Sequence, residues 1–168
     1  AVIAAPVVAA LHRLLVDYPL WRIAVPPAQA DAWIRLVQCN LAYNTKRGTL
    51  RGMHFQKAPH AQAKIVRATR GALLDIIVDL RDDSPTFRQW DAVELTADNH
   101  RMLYLPEGIA HGYMTLTDDT EAYYHVSSPW VPQAESGVRW DDPALGIEWP
   151  FRPLVVSERD STWPLLVL

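Results

Sequence analysis

Thr49-Leu50-Arg51-Gly52-Met53-His54-Phe55-Gln56 is the stretch on which the reading of the fold turns. It is a short β-type run set between Gly, Pro, Asn and Asp clusters, and others of the same texture follow it. They lie at 63–69, 72–80, 90–95, 101–105, 112–116 and 122–126. Such runs at short, regular spacing predict an all-β sandwich or barrel. No long amphipathic pattern separates them, which disfavours a doubly wound α/β sheet. Upstream, Pro26 and Pro27 precede a spacing of Ala, Trp, Ile and Leu over 28–37 that predicts a short helix. Downstream, Trp140, Trp149, Pro150, Pro153 and Pro164 read as extended loops packed on the barrel.

The chain has 168 residues, 49% of them hydrophobic, so it can bury a substantial core. There is no internal repeat and no linker, and one domain over 1–168 is expected. A single cysteine, Cys39, excludes an intramolecular disulfide framework and a multi-cysteine metal site. The net charge of −3 offers no basic face for nucleic acid. A phosphate-bearing small molecule stays compatible, because a few local arginines suffice for one. The apolar opening of the chain lacks the basic start of a signal peptide and the length of a membrane span, so a cytoplasmic protein is expected.

Alternation along a strand puts His54 and Gln56 on one face and Met53 and Phe55 on the other. Lys64 likewise shares its face with Val66 and Ala68. A barrel interior lined by such polar groups is a ligand cavity; for a single strand lysine, a solvated surface position is the competing reading. Pro106-Glu107-Gly108-Ile109-Ala110-His111-Gly112 predicts a tight turn that delivers His111 at the start of the next strand. Its spacing resembles the second half of the cupin signature, in which that histidine binds a metal. The first half requires two histidines one residue apart and then a glutamate. Here only His54 is present, followed by Phe55 and Gln56, so a metal-free cupin barrel without a cofactor is expected. Of the adjacent Tyr123 and Tyr124, only one can point inward. Trp130, Trp140, Trp149 and Trp163 read as core or interface anchors, and Asp160 as a helix cap or a surface charge.

One ordered series joins these pieces. It runs from 48–56 through Gln62-Ala63-Lys64, Asp79-Leu80-Arg81, Ser84-Pro85-Thr86-Phe87 and 106–112 to Trp140-Asp141-Asp142-Pro143-Ala144-Leu145-Gly146-Ile147 and Ser157-Glu158-Arg159-Asp160. The series resembles the dTDP-4-dehydrorhamnose 3,5-epimerase family from about Val37 onward. That resemblance implies a cupin-type jelly roll, a homodimer, and metal-free epimerisation of a nucleotide-diphosphate sugar carrying a 4-keto-6-deoxy ring. By resemblance His54 matches the general base, Asp160 the carboxylate that orients it (Asp142 also lies in a matching motif), Lys64 the lysine beside the keto oxygen, and Tyr124 the proton donor. Arg51, Gln56, Asn40 and His111 match contacts to sugar, phosphate or base, and Trp130 an aromatic that stacks on the nucleobase.

Residue chemistry points the same way. A 4-keto group acidifies the hydrogens on C3 and C5, so inversion needs a base, a stabiliser of the enolate, and an acid on the opposite face. Neutral imidazole, ammonium and phenol suit those roles. The segment over about 1–36 departs from the family pattern; Arg13 alone stands where a phosphate-binding arginine is expected. Inversion at C3, C5 or both, a metal-dependent cupin enzyme, and a binding protein without catalysis are the alternatives at this point.

Overall fold

The computed structural model describes residues 35–166. Arg13 lies outside them, as does most of the helix expected over 28–37; residues 35–37 are not helical. The strands are β1 (Gln38–Asn44), β2 (Thr49–Gln56), β3 (Lys64–Arg70), β4 (Ala72–Asp79), β5 (Trp90–Thr96), β6 (Leu103–Leu105), β7 (Ile109–Thr115), β8 (Thr120–Val126), β9 (Glu135–Gly137) and β10 (Val155–Val156). One short helix, α1 (Glu158–Ser161), follows them. They form a four-stranded sheet in the order β1-β8-β3-β6, and a six-stranded sheet in the order β10-β2-β7-β4-β5 with β9 beside β2. The expected all-β, jelly-roll-like sandwich is therefore the fold observed.

The two sheets face each other through alternate side chains. Val66 and Ala68 of β3, Leu73 and Ile77 of β4, Leu95 of β5 and Ala122 of β8 belong to one buried apolar cluster. A second cluster covers the other face of the larger sheet: Met53, Ile76, Val78 and Ala110 pack against Val138, Leu145, Trp140 and Trp149. Both faces of β4 and β7 are thus buried, which explains why β4 reads as an almost unbroken apolar run. The tail packs on the barrel as expected, and Trp149 Nε1 donates to the Trp140 carbonyl at 2.8 Å.

Two expected strands shift for identifiable reasons. Asn99 Oδ1 accepts from the backbone N–H groups of Thr96 and Arg101, so a turn consumes the start of the run expected at 101–105. The turn at Pro106 closes early, through a bond from Ile109 N to Pro106 O at 3.4 Å. His111 is therefore inside β7 rather than at its start.

Candidate active site

A cavity of about 350 Å³ opens between the sheets beyond the apolar cluster. Strand register decides what lines it. Asn40 pairs with Tyr124, and Tyr124 in turn with Val66; all three face inward, as does Lys64 two residues before Val66. From the opposite sheet come Arg51, His54 and Gln56 of β2 and His111 and Tyr113 of β7. Tyr123 takes the outer face, edge-to-face with His125 at 4.8 Å.

Arg51 and His54 are three residues apart, so plain alternation would put them on opposite faces. The β2–β7 register shifts between them, a bulge-like irregularity that turns both inward. Glycine makes the crossing possible. A Cβ on Gly52 would sit 2.3 Å from Gly112 Cα, so neither strand tolerates a side chain there.

Lys64 is only 7% exposed. Burial pulls its ammonium down to about 8, against the upward pull of the Asp75 and Glu135 carboxylates. Asp75, 0% exposed, is the buried carboxyl that a sequence reading passes over. Its Oδ1 lies 3.2 Å from His111 Nδ1. Burial raises the Asp75 carboxyl strongly, and the Lys64 charge opposes that rise. Burial and Lys64 both hold His111 neutral. The His54 ring meets that of His111 edge-to-face at 6.2 Å. His54 keeps part of its surface toward solvent, yet the enclosing walls, then Lys64, push it well below the usual imidazole range. Tyr124 is raised by burial, with Arg51 and Arg159 opposing, and so retains its proton near neutrality. Among the described residues, no group of three His, Cys, Asp or Glu side chains is arranged around a common point for a metal.

The remaining candidates have distinct placements. Gln56 reaches the cavity wall, but its amide is spent on backbone: Nε2 donates to the carbonyls of His60 and Pro129, and Oε1 accepts from Val131 N at 2.6 Å. It brackets Trp130, whose ring is 54% exposed at the rim rather than an anchor of the core. Gln56→Ala is expected to lower unfolding free energy by about 1–3 kcal/mol, the cost of leaving such partners unpaired. A urea melt unchanged from wild type would contradict that role.

Asp142 accepts from Ala144 N and Leu166 N and so ties down the tail. Asp160, 1% exposed, sits in α1, which packs on β2, and its N–H donates to the Ser157 cap. Among the described residues no hydrogen bond joins His54 to either carboxylate; Asp160 Oδ1, buried without a hydrogen bond, lies 3.5 Å from Arg159 Nε. Sequence reasoning also passes over Arg159 and Glu135. Arg159 Nη1 donates to both Glu135 oxygens at 3.0 and 3.1 Å, stitching α1 to β9 at the cavity wall. Arg159 was within reach of the sequence, since it stands beside Asp160 in the motif at 157–160.

Base-competent imidazole, buried ammonium and protonated phenol meet in one cleft, on the frame expected for a cupin sugar-nucleotide enzyme. The sequence model of the dTDP-4-dehydrorhamnose 3,5-epimerase family matches residues 26–167, starting upstream of the point at which the motifs begin. The chain belongs to this family. The dTDP-4-dehydrorhamnose 3,5-epimerase of Sinorhizobium fredii is 48% identical over 134 residues, 79% of this chain and 69% of that protein. Among solved epimerases of the family, the Bacillus anthracis enzyme, with TDP and PPi bound, is 47% identical with a TM-score of 0.78, over 79% of this chain and 76% of that one. A 3'-monoepimerase from Streptomyces bikiniensis, in complex with dTDP-quinovose, is 41% identical with a TM-score of 0.73, over 77% of this chain and 66% of that one. Arg13 lies outside the segment that the family model matches.

Proposed function

We propose that this chain epimerises a dTDP-linked 4-keto-6-deoxy sugar, moving protons at C3, C5 or both through an enolate. One observation carries the reading: His54 and Tyr124 project into the cavity from opposite sheets, β2 and β8. A ring held between the sheets has base on one face and acid on the other, the arrangement inversion requires.

Neutral His54 takes the proton from carbon, and the electron pair of that C–H bond passes to the 4-oxygen. The Lys64 ammonium stabilises the enolate oxygen. Tyr124 delivers a proton to the opposite face and recovers one from solvent, while the His54 imidazolium releases its proton to solvent. Asp160, on the helix packed against the His54 strand, is the carboxylate assigned to steady the imidazolium. Arg51 supplies positive charge for the diphosphate, and Trp130 an exposed ring for the base. Asn40 and His111 complete the sugar-facing wall.

Proton NMR of dTDP-4-keto-6-deoxyglucose in D₂O tests the reading. Loss of the C3 or C5 signal, or both, is expected and gives the regiochemistry; retention of both overturns the assignment. The relatives named above include a 3,5-epimerase and a 3'-monoepimerase, so either pattern suits the family.

The pH profile follows from the shifts. His54 stays neutral until well below 6.5, and Lys64 is cationic below about 8. The profile of kcat/KM is therefore expected to be flat through neutrality, to fall on the acid side only below 6.5, and to fall on the alkaline side near 8. A basic limb at the ordinary lysine value of 10.5 would detach Lys64 from the step.

The same reading implies a cytoplasmic homodimer. Leu41 and Tyr43 leave exposed apolar surface on the outer face of β1, where a second copy would dock. Sedimentation at the mass of one chain would remove the dimer.

A further inference from the structure

We infer that Asn44 is a positioning residue that holds Arg51 with its guanidinium fork presented to the cavity. The inference rests on the proposed function, in which Arg51 meets the diphosphate.

Arg51 is exposed, yet its Nε donates to Asn44 Oδ1 at 2.9 Å. Asn44 is 3% exposed and immobilised from three sides. The two hydrogens of its amide nitrogen are shared among the Ala42 carbonyl at 3.1 Å, the Thr120 carbonyl at 3.2 Å and Tyr113 Oη at 3.3 Å. Those partners belong to β1, β8 and β7, so the post that holds Arg51 is built into both sheets.

The chemistry of the post matters as much as its rigidity. A neutral amide fixes Nε without cancelling the guanidinium charge, whereas a carboxylate at that place would offset it. Nη1 and Nη2 remain, the pair of donors that grips a phosphate in two-point fashion. With the arm already ordered, an anion does not have to immobilise it on binding.

Calorimetric titration with dTDP tests this without turnover. Asn44→Ala is expected to weaken dTDP about 3- to 10-fold, the cost of ordering one long side chain on binding. In steady state KM rises by a similar factor while kcat stays within about twofold. In an Arg51→Ala background the same substitution is expected to add almost nothing, because its partner is gone. Unchanged dTDP affinity in Asn44→Ala, or the full effect persisting without Arg51, overturns the inference. Should Asn44→Ala fail to fold, Asn44→Ser carries the same expectation. Serine keeps a donor beside the two carbonyls and is too short to reach Nε. If the protein exchanges no sugar protons but the coupling holds, the function fails and the positioning role stands. If exchange is normal but coupling is absent, the positioning role fails alone.

Discussion

Lys64→Met is expected to lower kcat about 10²–10³-fold while KM stays close to wild type. In the proposed reaction the lysine stands beside the oxygen on which negative charge appears only as the C–H bond breaks, so its removal would penalise the transition state rather than binding. One well-placed donor to a developing oxyanion is worth roughly 3–4 kcal/mol. Methionine fills similar volume, and the fold tolerates the lost charge for a specific reason. Burial already pushes the Asp75 carboxyl upward, and Lys64 is the charge holding it down. Without Lys64 only the upward push of burial acts on Asp75, which favours the neutral acid over an unpaired ion. Near-normal turnover with an intact circular dichroism spectrum would remove the lysine from the mechanism. A collapsed spectrum would instead show that Asp75 cannot neutralise itself.

His54→Asn is expected to stop solvent deuterium from entering the sugar ring. A positioned general base contributes about 10²–10⁴-fold, and asparagine keeps polarity and approximate size but has no site for the abstracted proton. Exchange is the sharper readout, because it registers abstraction even if the ring re-protonates on its original face. Continued incorporation would transfer the role of base elsewhere, and His111 is the neighbour to examine, with its ring 6.2 Å away.

How far these roles could be read beforehand depended on the kind of signal each residue gave. Alternation placed His54 with Gln56 and Lys64 with Val66, and the strands honour both pairings. It fails at Arg51, because a register shift over Gly52 leaves no trace in residue parity. Lys64 had a bland surface reading, and only the packing of two sheets resolves it as buried. Asp75 carries a visible signal, an acid inside Leu73-Leu74-Asp75-Ile76-Ile77, but the apolar run around it points to structure rather than chemistry. Gln56 illustrates the converse. Its position in the cavity wall was legible, while the use of its amide to hold loop backbone depends on chain brought in from residues 129–131. For Asp160, sequence order marked the motif but not the direction of its carboxylate, which three-dimensional packing decides.

The walls of the cleft are drawn from Gln38 at one extreme to Arg159 at the other, on elements that become neighbours only when both sheets have closed. His54, Lys64 and Tyr124 stand on three strands, β2, β3 and β8, divided between the two sheets. Turnover and the cooperative unfolding transition should therefore vanish together as denaturant rises, and a simple activity reading serves as a gauge of how many molecules are fully assembled.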